Sequence, residues 1–266
     1  MRLPFVAIAL TATLALTAAA LRAADLTPLM TVPGPLILSE DFSGTVLPVK
    51  WQPGGRPGSF TLVEGALQGV CAAEDSHGPS IGVPLAGRNL TVQFAMKYLK
   101  PGNFLFLLDG ESQFGGAAHL LRVGLAPNLV VVQQDRGSPA SKLAQKQEKD
   151  AVAKAGGKAL VPTKEQLTDP RFYRIERLGA QTRKVADDRW HNVLVEVSGN
   201  QVVVQVDDGP PILATGTVLD MKKSRIVFLV GGAGTALIDN VKVWENSPRA
   251  DWSEVKARLP ATTEKK

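Results

Sequence analysis

Residues 90–98 read Leu90-Thr91-Val92-Gln93-Phe94-Ala95-Met96-Lys97-Tyr98. Leu90, Val92, Phe94, Met96 and Tyr98 point one way; Thr91, Gln93, Ala95 and Lys97 point the other. Successive side chains of a strand leave opposite faces, so this period of two with one apolar face specifies a half-buried antiparallel strand. Similar short runs recur on both sides of it, broken by Gly, Pro, Asn and Asp. Phe60–Val63 meets Glu64-Gly65 and continues as Ala66–Gly69. Phe104–Leu108 ends at Asp109-Gly110, and His119–Leu125 turns through Ala126-Pro127-Asn128 into Leu129–Gln134. Ser198-Gly199-Asn200 joins Asn192–Val197 to Gln201–Val206, a strong hairpin signal. Arg225–Val230 and Ala236–Trp244 complete the series.

One segment breaks the pattern. Ser138-Pro139 supplies an N-cap and a first helical residue, residues 140–155 are rich in Ala, Lys and Gln, and Gly156-Gly157 stops the helix. A shorter helical turn is expected near Thr163–Leu167, and a last short helix at Trp252–Leu259. Strands without a βαβ rhythm predict an all-β chain, an antiparallel jelly-roll β-sandwich with one inserted surface helix. The expected organisation is a signal peptide at 1–24, a lead-in at 25–35, one sandwich domain at 36–246 with its insertion at about 138–168, and a C-terminal tail at 247–266.

The leader reading rests on Arg2, an apolar run from Phe5 to about Ala20, and Ala-rich small residues up to Ala24. This is the composition of a secretory signal peptide, cut after Ala24 or nearer Ala20; an uncleaved anchor is the alternative. A secreted or periplasmic protein with no membrane span after cleavage follows. The formal charge of +5 falls to +3 without Arg2 and Arg22. The excess gathers in Lys142, Lys146, Lys149, Lys154, Lys158 and Lys164, against Glu148 and Asp150. No aromatics are interleaved there, which argues against nucleic acid. The stretch reads as a solvated face or, on the Lys-rich helix, a contact for a protein partner. The single Cys71 excludes a disulfide scaffold and reads as a buried small hydrophobe. One Cys and three scattered His make no zinc pattern.

Four segments carry a resemblance. They are Glu40-Asp41-Phe42-Ser43 before Trp51; Phe60–Leu67; Asp188-Arg189-Trp190-His191-Asn192-Val193 with its hairpin to Val206-Asp207-Asp208-Gly209; and Ile238-Asp239-Asn240-Val241-Lys242-Val243-Trp244-Glu245. Their order resembles the concanavalin A-like lectin/glucanase sandwich. Within that group it is similar to laminin G-like domains and to the secreted bacterial DUF1080, or 3-keto-disaccharide hydrolase, domain. The resemblance spans roughly residues 36–246. It implies a last strand paired near the first, an extracellular carbohydrate as partner, and a structural calcium held by Asp41 and Asp239, with Glu40 as a further ligand. Trp190, opening a strand after a charged turn, is expected to plug one end of the sandwich.

Glycoside cleavage generally needs two carboxyl groups about 5–10 Å apart. The sandwich glucanases carry theirs as Glu-x-Asp-x-x-Glu on one strand, and this chain has no such motif. The catalytic candidates are therefore weak: Asp109 and Glu111 bracketing a turn, and His77 and His119 as proton carriers. Each also reads plainly as a turn cap or an exposed residue. The ligand-binding candidates are the outward polar residues Gln93, Lys97, Arg122 and Gln205, beside Gln133 and Gln201. Planar amides and guanidinium groups pair well with sugar hydroxyls and carboxylates. Few rings lie near plausible rims: Trp51, Tyr98, Phe114 and Tyr173. The leading expectation is an exported carbohydrate-recognition domain without its own catalysis. The alternatives are a glycoside-cleaving enzyme of the DUF1080 type and a structural or protein-binding surface component.

Overall fold

A computed structural model describes residues 25–55, 58–75, 77–158 and 161–259; the expected signal peptide lies outside the described residues. Two antiparallel sheets face one another. The first runs in the order β13 (Ile212–Thr215), β12 (Gln201–Val206), β11 (His191–Ser198), β6 (Leu90–Lys100), β15 (Thr235–Pro248), β4 (Ala66–Val70) and β3 (Ser59–Val63). On it, β1 (Thr31–Glu40) also pairs with β15. The second runs β10 (Arg174–Thr182), β9 (Leu129–Arg136), β8 (Ala117–Ala126), β7 (Asn103–Glu111), β14 (Lys223–Gly231), β5 (Ser80–Gly87) and β2 (Gln52–Pro53). This is the all-β jelly-roll sandwich that the period-two runs demand.

Leu90, Val92, Phe94, Met96 and Tyr98 all enter the core between the sheets, as their alternation requires. Phe94 meets Phe106 and Phe228 at 5.2 Å between ring centroids and Phe104 at 6.0 Å. Two aromatics expected at the rims are interior. Trp51 stacks on Phe228 at 5.9 Å, and buried Tyr98 donates its hydroxyl to the carbonyls of Gly102 and Leu125. Trp190, expected as the plug, is only half-buried; Trp51 fills the core in its place. Cys71 is buried, with its thiol against the carbonyls of Ala72 and Asp75.

The first strand begins at Thr31, inside the segment read as a lead-in, because β15 continues to Pro248 and gives Thr31, Val32 and Pro33 partners. Pro33 is accommodated beside a register shift in this pairing. The last strand therefore does pair with the first.

The insertion leaves the second sheet after β9 and returns at β10. It carries α1 (Pro139–Lys154), capped by Ser138, and α2 (Lys164–Thr168), capped reciprocally by Thr163 and Gln166. Neither helix has a buried residue. Gly137 forms the neck with a φ of +86°, and a Cβ there would lie 2.3 Å from the Phe172 carbonyl oxygen. A third helix, α3 (Trp252–Arg258), places the Trp252 indole N–H on the side-chain oxygen of Gln201.

Candidate functional site

The four expected ligand-binding residues do not share a face. Gln93 and Lys97 lie on β6 and Gln205 on β12, in the first sheet; Arg122 lies on β8, in the second.

The outer face of the first sheet is occupied by the chain itself. Gln93 is 4% exposed; its amide donates to the Asp25 carboxylate at 2.6 Å and its oxygen accepts from Leu26 N–H at 3.1 Å. Next to it, wholly buried Glu196 accepts from the N–H groups of Leu29, Met30 and Thr31 at 2.7–2.9 Å, and from the Thr31 hydroxyl at 2.7 Å. Burial raises the Glu196 carboxyl above the ordinary glutamate value, and these four hydrogen bonds oppose the rise. Residues 25–31 thus seal this face. At its far end Lys97 pairs with Asp188 at 3.0 Å, while the buried oxygen of half-buried Gln205 has no hydrogen-bond partner among the described residues.

His191 sits on the same sheet with its ring nitrogens 2.8 Å from Asp187 and from Asp207. Arg183 and Arg189 reach Asp207 as well. Burial opposes ionisation of Asp207, but His191, the Asn192 N–H and Arg183 outweigh it and hold the carboxyl at about 2. This network fixes the turn after β12.

The second sheet presents a different outer face. Arg122 donates from Nε to Asp135 at 2.6 Å and from a terminal nitrogen to the Tyr173 hydroxyl at 3.2 Å. That hydroxyl donates to the other Asp135 oxygen at 3.1 Å, which Lys142 of α1 also reaches at 3.3 Å. Asp135 has a side chain only 4% exposed. Burial alone would raise its carboxyl; the bond and charge of Arg122, then the charges of Lys142 and His119, hold it below the usual aspartate range. Tyr173 is pushed well up by burial and by Asp135, so its hydroxyl stays protonated. On the same strand as Arg122, His119 Nδ1 lies 2.6 Å from Asp109 of neighbouring β7, and both side chains keep partial exposure. Gln133, directly opposite Arg122 in the ladder, completes the row.

Of the four catalytic candidates the fold therefore unites two. Glu111 is exposed at the end of β7. His77 lies beside Gly231, at the end of β14 opposite to the one that pairs with Asp109. Asp135, which anchors the whole cluster, was not singled out from the sequence. Its signal was present: it stands two residues after Gln133 in an alternating strand, on the same side.

The calcium expectation meets an unsuitable donor set. Asp41 Oδ1 accepts from Ser43 N–H at 3.0 Å and from its hydroxyl at 2.8 Å. Glu40 pairs with Lys50 at 3.1 Å, and buried Asp239 accepts the adjacent Asn240 N–H at 2.7 Å. Among the described residues no three His, Cys, Asp or Glu side chains converge as a metal site. Calcium takes six to eight oxygens, and these residues do not fit it.

Beyond Tyr173 the insertion forms an open cleft of about 660 Å³, lined on one side by Lys142, Gln145, Lys146, Glu148 and Lys149 of α1. Its other lining comes from Val161, Pro162, Thr163 and Gln166 and from Phe172 and Tyr173.

Comparison with solved structures finds the same architecture. A Bacillus subtilis protein with a galectin-like fold aligns with a TM-score of 0.53 at 12% identity, covering 83% of this chain and 100% of its own. LamA from Z. galactanivorans, solved with laminaritriose and laminaritetraose, aligns at 0.51 and 13%, covering 80% and 100%. A sialidase aligns at 0.49 and 14% over 82% of this chain, which spans 18% of that protein. No curated protein matches the chain. At these identities the likeness concerns the fold alone, a two-sheet antiparallel sandwich like the galectin-like fold of the Bacillus subtilis protein; residues 172–251 of the chain match the Laminin G domain family model.

Proposed function

We propose that the chain is an exported carbohydrate-recognition domain that takes its sugar on the outer face of the second sheet, around Arg122, Gln133, His119 and Asp109. One observation carries this reading. The equivalent face of the first sheet is filled by residues 25–31, whereas the second presents planar polar groups already oriented by one another. Prior fixing of such groups lowers the entropic cost of binding a polyhydroxylated ligand. Gln93 serves the lead-in, and of the four expected ligand-binding residues Arg122 is kept for the sugar. The carbohydrate-binding character of proteins with this fold supports the reading by analogy. Export through residues 1–24 is part of the same proposal.

Glycan-array binding of residues 25–266 tests it. Selective capture of one glycan class, lost in His119→Ala and Gln133→Ala with the fold intact by circular dichroism, is the expected result. Because the donor set around Asp41 and Asp239 does not fit calcium, binding in EDTA should equal binding in calcium. A folded protein that captures no glycan refutes the proposal.

The His119–Asp109 pair favours a second reading, a glycoside-cleaving activity of the DUF1080 type. A carboxylate that orients an imidazole is a general-base arrangement. Release of free sugar from a disaccharide panel, abolished by His119→Gln, would establish this reading over the first.

A further inference from the structure

We infer that the cleft between α1 and α2 is a subsite for an acidic sugar unit, one bearing a carboxylate or a sulfate. The inference rests on the carbohydrate reading and specifies the chemical class of the ligand.

The insertion is shaped around this space, and none of its described residues belongs to the core. Neither α1 nor α2 buries a residue, yet both are held by polar pins at their base. The Ser141 hydroxyl accepts the Tyr173 N–H at 3.0 Å, Gln145 donates to the Tyr173 carbonyl at 3.0 Å, and Arg174 donates to the Leu167 carbonyl at 2.6 Å. The cleft, half open to solvent, has a volume of about 660 Å³, within the range of small-ligand sites. Lys142, Lys146 and Lys149 stand at i, i+4 and i+7, so they share one face of α1 and line the cleft together. Among the lining residues Glu148 is the one opposing charge. The Lys146–Asp150 pair is exposed on both sides, and such a pair yields readily to a better anion. Half-buried Phe172 and Tyr173 supply ring surface for sugar C–H groups. Lys142 lies 4.8 Å from the Tyr173 ring centroid and also reaches Asp135, which ties the cleft to the sheet face already described.

Calorimetric titration of residues 25–266 with tetragalacturonate, a sulfated carrageenan tetrasaccharide and neutral cellotetraose tests the inference. The acidic oligosaccharides should bind at least about tenfold more tightly than the neutral one, and the first two arms separate carboxylate from sulfate recognition. In Lys146→Ala/Lys149→Ala that preference should vanish, the scale expected from losing two exposed charge contacts. Raising salt well above 0.1 M, where screening acts within about 10 Å, should weaken the acidic ligands and spare any neutral one. Acidic ligands that bind no better than cellotetraose, or that bind the double variant undiminished, overturn the inference. If array glycans still depend on His119 and Gln133 in that case, the carbohydrate reading stands without this subsite. If no glycan binds at all, both fall.

Discussion

Asp135→Asn replaces the carboxylate that joins Arg122, Tyr173 and Lys142 by a neutral group of nearly the same shape. The Asp135 side chain is 4% exposed and that of Arg122 12%. Removing one partner of a fully buried ion pair costs about 3–5 kcal/mol, because the other charge is left desolvated. Arg122 retains its contact to the Tyr173 hydroxyl and a little solvent, which brings the expectation down to about 2–3 kcal/mol. In a domain of this size each kcal/mol moves the melting temperature by about 2–4 °C, so a fall of about 5–10 °C is expected at pH 7. The pH dependence follows from the depressed Asp135 carboxyl. Its stabilisation is complete above the unfolded aspartate value near 3.9 and is lost as pH falls through the lower folded value. Thermal melts of wild type and variant should therefore be well separated at pH 7 and draw together below about pH 4. The double variant Arg122→Met/Asp135→Leu, which removes both charges, should recover part of the loss. A shift of less than about 1 °C at pH 7, or a gap that stays constant into acid, would refute the view that Asp135 is the electrostatic anchor of this face.

Glu196→Gln puts an amide among four donors and should cost about 2–4 kcal/mol, with hydrogen exchange at Leu29, Met30 and Thr31 accelerating first. Unchanged protection of those amides would count against the sealing role. Lys223, wholly buried, donates to the carbonyls of Arg88 and Leu219, and burial pushes its ammonium down to about 8. The folded state then holds this proton less firmly than the unfolded chain, so stability should rise between about pH 8 and 10. Denaturant melts of Lys223→Met should lack that rise. Gly137→Ala places a methyl against the Phe172 carbonyl at a positive φ, and limited proteolysis within residues 138–168 should speed up while the sandwich stays folded.

The sandwich was legible wherever local pattern and tertiary role agree. The alternation at 90–98 put the right five side chains into the core, and Gly199-Asn200 set the hairpin register of Ser198 against Gln201. β5 was not legible, because Gly82, Pro84 and Gly87 interrupt its apolar residues; its form comes from pairing with β14. Which polar residues meet ligand was hidden for a different reason. A strand pattern distinguishes inward from outward but does not say which sheet a strand joins, so Gln93 and Arg122 looked like neighbours. Nor does it say what covers the outward side. Gln93 and Glu196 are sealed by residues 68 and 165–167 positions away in the chain. Trp51 looked like a rim aromatic because its flanks, Lys50 and Gln52, are polar, while its own ring stacks inside on Phe228.

The two strands made last, β14 and β15, are interior members of the two sheets: β14 joins β7 to β5, and β15 joins β6 to β4 and β1. Until residues 223–248 are available, the second sheet exists only as two unconnected flaps, and the first as two flaps with β1 left unpaired. Synthesis from the N-terminus therefore cannot lay down a stable half-protein. The domain closes like a double zip, late and all at once, as long-range pairing of this kind dictates. That delay leaves open edges exposed to other chains for longest, so shortening the protein from its C-terminal side should yield aggregates and not a smaller working domain.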